Sequence, residues 1–155
     1  MARTKVLFLH HGGGIGGAPV SMLQLARGLD PKRYESVVYF TQPGPILGFA
    51  KGMGVTAGVS QLRSAFFYSA HVPIRARMLV PFLHQFKSTI RAAQSLVRME
   101  RPDVVHLNTS VLVPAAIGIK REGVPLVWHV REVPGPNRLL RNWHLAKIRH
   151  LADHV

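Results

Sequence analysis

Apolar residues along this chain fall into short runs that alternate with stretches of helical spacing. Lys5-Val6-Leu7-Phe8-Leu9 is a run of strand formers with no polar face after its first residue, the pattern of a parallel strand buried on both sides. From Pro19 onward the period changes. Val20, Leu23 and Ala26, with Met22, Leu25 and Leu29 beside them, make the inward side of a helix, while Ser21, Gln24, Arg27 and Gly28 fall on the other. Glu35-Ser36-Val37-Val38-Tyr39-Phe40-Thr41 predicts a second strand, Pro45 opens a short helix to Lys51, and Val55 to Val59 suits a third strand. Pro81 kinks or restarts a longer helix, which then runs to about Met99, with Phe82, Phe86, Ile90, Ala93 and Val97 on one side and His84, Lys87, Arg91, Gln94, Arg98 and Arg101 on the other. Val104-Val105-His106-Leu107 is a fourth strand. A helix through Pro114, Ala116, Ile117 and Ile119 closes on Lys120-Arg121-Glu122-Gly123, and Pro125 to Val130 is a fifth strand. Leu139 to Leu151 make a last helix, and Ala152-Asp153-His154-Val155 reads as the start of one more strand, so the chain is expected to continue past Val155.

Strictly alternating strands and helices predict an α/β fold with a doubly wound, Rossmann-like parallel sheet, built as a single domain over residues 1–155. In such a sheet the first and fourth strands are neighbours, and ligands bind in the crevice at their carboxyl ends. That places three turns together. The first is His10-His11-Gly12-Gly13-Gly14-Ile15-Gly16-Gly17-Ala18, where glycine N–H groups and the positive end of a helix dipole can meet an anion, phosphate above all. Gly14, Gly16 and Gly17 are the candidate donors. Gly12, Gly14 and Gly17 also satisfy the dinucleotide spacing G-x-G-x-x-G, but that reading wants an acidic residue at the end of the second strand, where this chain has Gln42-Pro43. The second turn, Asn108-Thr109-Ser110, offers amide and hydroxyl groups, or in Ser110 a cap for the next helix. The third delivers His129, Arg131 and Glu132, with His129 either a ligand contact or a core histidine.

Composition narrows the partners. With 155 residues and 47% of them hydrophobic, the chain can bury a real core. It has no cysteine, which excludes disulfides and thiolate metal sites and fits a cytoplasmic setting. Nothing at the start resembles a secretory signal. Lys and Arg number 20 against 7 Asp and Glu, a net charge of +13 that asks for an anionic partner. Zinc-finger spacing, an RNA-recognition aromatic motif and a helix-turn-helix are all missing, which weighs against nucleic acid. Gln61 to Val80 mixes aromatic and aliphatic residues with cations and contains no carboxylate. Arg63, Phe66, Phe67, Arg75 and Arg77 suit an anionic membrane surface or acceptor; a loop and helix packed on the sheet with a basic edge fits equally.

The apolar strand leading into Gly-Gly-x-Gly-Gly-Ala at Gly13 to Ala18, Arg101-Pro102-Asp103-Val104-Val105-His106, Val127-Trp128-His129-Val130-Arg131-Glu132 and the closing Ala152-Asp153-His154-Val155 stand in one order over nearly the whole chain. Together they resemble the N-terminal domain of glycosyltransferase family 4, the retaining enzymes of the GT-B fold. One departure is Pro19, where family members often carry Glu. The resemblance implies a two-domain enzyme that clamps a nucleotide sugar between two sheets and passes the sugar to a glycan or lipid-linked acceptor. This chain would be its acceptor-side half, inactive without a C-terminal donor domain. Gly16 and Gly17 would approach the donor diphosphate, and His129 the donor sugar. Asn108, Thr109, Arg131 and Glu132 would face the cleft. The resemblance implies neither a metal nor any other cofactor, assigns no catalytic residue to this half, and places the protein in the cytoplasm at or near the inner membrane face. The rival readings are a free-standing phosphate- or nucleotide-binding module and a basic protein that binds membranes or nucleic acid. They differ in whether a nucleotide sugar is bound and whether binding fades with salt.

Overall fold

A computed structural model describes residues 2–63, 79–132 and 136–155. Five parallel strands, β1 (Thr4–His10), β2 (Tyr34–Phe40), β3 (Ala57–Val59), β4 (Val104–Leu107) and β5 (Leu126–Trp128), form one sheet in the order β3-β2-β1-β4-β5. The helices are α1 (Gly17–Gly28), α2 (Pro45–Gly52), α3 (Leu79–Glu100), α4 (Val113–Arg121) and α5 (Arg138–Leu151). This is the doubly wound, Rossmann-like α/β architecture, with β1 and β4 adjacent as the alternation predicts.

The central strand explains the two-sided apolar run. Val6 and Phe8 pack with Met22 and Leu23 of α1 and Ile46 of α2 on one face. Leu7 and Leu9 pack on the other with Ala93 and Val97 of α3, Ala116 and Ile119 of α4 and Ile148 of α5. Phe8 and Leu7 are 2% and 0% exposed, so β1 has no solvent face at all.

Three local differences from the pattern have simple causes. Leu25 is 44% exposed, because it lies roughly 110° around α1 from the centre of the buried arc of Pro19, Met22, Leu23 and Ala26. Val55 does not open β3; it is buried and its N–H closes the end of α2 on the Ala50 carbonyl at 2.9 Å. Pro81 lies in the first turn of α3 and does not interrupt the helix, since a first-turn proline lacks only an N–H that has no partner there anyway. Beyond α5, His154 bridges Val127 in parallel and Asp153 accepts the Leu126 N–H at 2.7 Å, so the last residues lie along β5 as a further strand position.

Phe66, Phe67, Arg75 and Arg77, the expected membrane or acceptor contacts, lie outside the described residues; Arg63 is described and exposed. No described helix is long and apolar enough to cross a membrane.

Candidate functional site

All strands point the same way, so the turns after β1, β2, β4 and β5 meet along one edge of the sheet. The glycine run divides its work there. Gly12 has φ +75, a left-handed conformation that glycine adopts freely, and donates its N–H to Thr41 Oγ1 at 2.9 Å. Gly13 presses on the turn after β2. A Cβ on it would lie 2.7 Å from the Gln42 carbonyl oxygen and closer still to that of Pro43, and the Ile46 N–H donates to its own carbonyl at 3.2 Å. Gly14, Gly16 and Gly17 are different: they are exposed, and added Cβ atoms at Gly14 and Gly17 would meet nothing. Gly16 caps α1 with extended backbone and no side-chain bond, and the first turn holds no acidic residue. The start of α1 is therefore an open, uncapped helix end.

Across from it, Asn108 ties three elements together. Its N–H donates to Leu9 O at 2.9 Å, its Nδ2 donates to Ala18 O at 3.0 Å, and its Oδ1 accepts from Arg131 Nε at 3.3 Å. Arg131 Nη2 continues to Ser21 Oγ of α1 at 2.6 Å. The His10 ring donates from Nδ1 to the Asn108 carbonyl at 2.8 Å, which fixes its tautomer. Glu132 sits beneath this bridge: Oε1 accepts the Thr109 hydroxyl at 2.6 Å, Oε2 accepts the Ser110 N–H at 2.6 Å, and His11 Nδ1 lies 3.6 Å from Oε1. Burial alone would push the Glu132 carboxyl up, but Thr109, Ser110 and His11 outweigh it and hold it below the usual carboxylate range.

The expectation that Asn108 and Thr109 present free polar groups to the cleft needs correction. Both are fully buried, and their groups are spent inside the protein; Thr109 O also accepts the Trp128 indole N–H at 2.7 Å. Ser110 does not cap α4 either, because that helix begins at Val113 with no side-chain cap, and Ser110 is held by Glu132 and by His144 Nε2, which donates to its carbonyl at 2.7 Å. What remains at the surface is His129, exposed, its ring edge-on to His106 at 5.8 Å, together with Arg131. Desolvation, then the Arg131 charge, lower the His129 pKa, which favours the neutral imidazole.

Sequence reasoning missed a set of three histidines: His10 and His11, whose rings lie 4.7 Å apart, and His106, which packs on Phe8. Burial lowers all three, His10 and His106 to about 4, and the strand period that puts Phe8, His10 and His106 on one face is the signal that could have found it. It also missed a charge asymmetry. Asp30, Glu100, Asp103, Glu122 and Asp153 precede a strand or lie at or just beyond the end of a helix, and Glu35 is the second residue of β2, so all six belong to the opposite edge of the sheet. Glu132 alone stands at this one, its charge already engaged. An edge with helix N-termini, Arg131 and a single engaged carboxylate favours an anion. Among the described residues no cluster of His, Asp and Glu could hold a metal ion.

Residues 15–155 match the family described as Glycosyltransferase Family 4. No curated protein sequence matches the chain. Among solved structures it is similar to MurG of Acinetobacter baumannii, with 14% identity and a TM-score of 0.65 over 97% of this chain and 40% of that one. The calicheamicin glycosyltransferase CalG4 gives 16% identity and a TM-score of 0.56 over 94% and 37%. A UDP-N-acetylglucosamine 2-epimerase gives 11% and 0.61 over 98% and 41%. At these identities the likeness shows the fold, shared by transferases and an epimerase alike. The chain spans about 40% of the length of the first of these structures.

Proposed function

The chain belongs to glycosyltransferase family 4, and from that premise we propose that it is the acceptor-side half of a retaining, GT-B glycosyltransferase that uses a nucleotide sugar. The observation that carries this reading is the site edge itself: an uncapped α1 start with exposed Gly14, Gly16 and Gly17 shares the edge of the sheet with exposed His129 and Arg131, and the one carboxylate there, Glu132, is already engaged.

In this reading the N–H groups at Gly16 and Gly17 meet the donor diphosphate. Charge builds on that group as the bond from sugar to phosphate breaks, and donors fixed in place stabilise it without reorganising. Neutral His129 hydrogen-bonds a sugar hydroxyl and sets the sugar's position. Arg131 is committed to Asn108 and Ser21, so it shapes the pocket wall and contributes charge at short range. Glu132 is not the nucleophile; both its oxygens are engaged, and its part is to hold the turn after β4. The remaining donor contacts belong to a second domain, and the 155-residue chain alone is inactive. The acceptor is a glycan or a lipid-linked sugar at the inner membrane face, approached by the basic surface near Arg63.

The test is turnover of a panel of nucleotide sugars by this chain and by the chain with whatever sequence its gene carries beyond Val155. Transfer only by the longer form, lost in His129→Ala, supports the reading. Transfer by the 155-residue chain, or a longer form that binds no nucleotide sugar, overturns it.

A further inference from the structure

Four hydrogen bonds close a ring at the first turn of α1. Asn108 Nδ2 and Ser21 Oγ both donate to the Ala18 carbonyl, at 3.0 and 3.1 Å. Arg131 Nη2 donates to Ser21 Oγ at 2.6 Å and Arg131 Nε to Asn108 Oδ1 at 3.3 Å, which brings the chain of bonds back to its start. Ser21 stands 110 residues before Arg131, so the ring joins α1 to the turn after β5 by way of Asn108, the residue that follows β4.

Each member of the ring works in one direction. The single Ser21 proton goes to Ala18, which leaves the hydroxyl oxygen to accept from Arg131, and the Asn108 amide donates on one side while it accepts on the other. The 2.6 Å link has a charged donor and is the strong one. Both oxygens that hold Arg131 are neutral, and among the described residues no carboxylate lies within 4.0 Å of its guanidinium, so its charge is held in place without being neutralised. The same turn has two other anchors: the His129 N–H donates to Leu107 O at 2.8 Å, and Glu132 accepts from Thr109 and Ser110. Those two lead to β4 and the turn after it, whereas the ring leads to α1.

We propose that Ser21 is a positioning residue of this site: by holding Arg131 it fixes the turn that carries His129 at one distance from the uncapped start of α1. That role in transfer rests on the transferase reading above, whereas the ring itself does not. In that reading the sugar meets His129 and the diphosphate meets Gly16 and Gly17, so the ring sets the spacing between the two contacts. Charge gathers on the diphosphate as its bond to the sugar breaks, and a fixed spacing therefore acts on the transition state more than on the bound substrate. Ser21 touches neither sugar nor phosphate and acts through Arg131.

The experiment is steady-state kinetics of the longer chain with the nucleotide sugar it turns over, beside NMR of the Arg131 Nε–H group in the 155-residue chain. Ser21 is half-buried and Ala is the better helix former, so Ser21→Ala keeps the fold. It is expected to lower kcat about tenfold with KM within about twofold, and to speed solvent exchange of the Arg131 Nε–H. Ser21→Thr keeps a hydroxyl that reaches the carbonyl one turn back and should restore both values. Gln24→Ala, exposed on the same helix, should change neither. Arg131→Lys keeps the charge but loses the fork that bonds two partners, so in its background Ser21→Ala should have no further effect on kcat. A Ser21→Ala enzyme with wild-type kcat, or the same loss in both backgrounds, overturns this role and leaves the transferase reading standing. A longer chain that turns over no nucleotide sugar overturns both, and the Arg131 exchange rate then reports on the ring alone.

Discussion

Glu132 and Ser110 meet at 2.6 Å, carboxylate oxygen to backbone N–H, across the 22 residues that separate the ends of β4 and β5. The second oxygen takes the Thr109 hydroxyl at the same distance. Removing the carboxylate strands a buried N–H, so Glu132→Ala should lose about 2–4 kcal/mol of stability. Glu132→Gln should lose clearly less, because its amide oxygen can accept from Ser110 while the Thr109 hydroxyl reverses to accept from its NH₂. Urea unfolding of both variants at pH 7.5 checks the order. Equal stability of Ala, Gln and wild type would show that the turn is held by other contacts.

Within one glycine run, the two kinds of glycine should separate cleanly. Gly13→Ala drives a Cβ into the Gln42 and Pro43 carbonyl oxygens, and relieving that overlap should cost about 1–3 kcal/mol. Gly17→Ala meets no atom of the chain and should leave the melting temperature within about a degree of wild type. In a longer form that turns over a nucleotide sugar, as proposed above, the same Gly17→Ala should raise the KM for that donor. Thermal denaturation beside donor kinetics checks both halves, and a Gly17→Ala enzyme with unchanged kinetics would remove this turn from the donor site.

Most of the frame was legible because strand and helix periods are local. The apolar run Lys5 to Leu9, the break at Gln42-Pro43-Gly44-Pro45 and the closing Lys120-Arg121-Glu122-Gly123 each announce their element within a few residues. The adjacency of β1 and β4 followed from the alternation itself. What escaped depends on pairing at long range. Nothing near Asn108 or Thr109 tells that Ala18 and Glu132 will consume their polar groups, from 90 and 23 residues away. The same holds for Gly13, whose neighbours in sequence look no different from those of Gly17 while its neighbours in space are a carbonyl pair.

Helices α3 and α4 cross at Gly118. A Cβ there would lie 2.5 Å from the Ile90 carbonyl oxygen and 2.8 Å from Ala93 Cβ, and both helices carry the core that covers Leu7 and Leu9. Gly118→Ala should therefore destabilise despite its better helix propensity, by about 1–3 kcal/mol, and Gly118→Val by more. Chemical denaturation distinguishes this from propensity alone, which predicts a gain of up to about 1 kcal/mol for Ala.

Acid should loosen the fold through its buried histidines. His10 and His106 are 5% and 8% exposed, and burial pushes both down to about 4 from an ordinary value of about 6.5. The unfolded chain takes up these protons at a higher pH than the folded one. Their contribution is therefore complete above about pH 6.5 and is lost as pH falls towards about 4, by up to about 3 kcal/mol for each residue. Glu132, held below the usual carboxylate range, adds its own loss only at more acid pH. His106 Nδ1 has no hydrogen-bond partner among the described residues, so His106→Leu should leave stability at pH 7.5 unchanged or raised. It should also remove the His106 share of the decline between pH 6.5 and 4, the shares of His10, His11, His129 and His144 remaining. Urea midpoints of wild type and variant at pH 7.5, 6 and 5 measure that slope; parallel curves would mean that His106 titrates alike in the folded and unfolded chain.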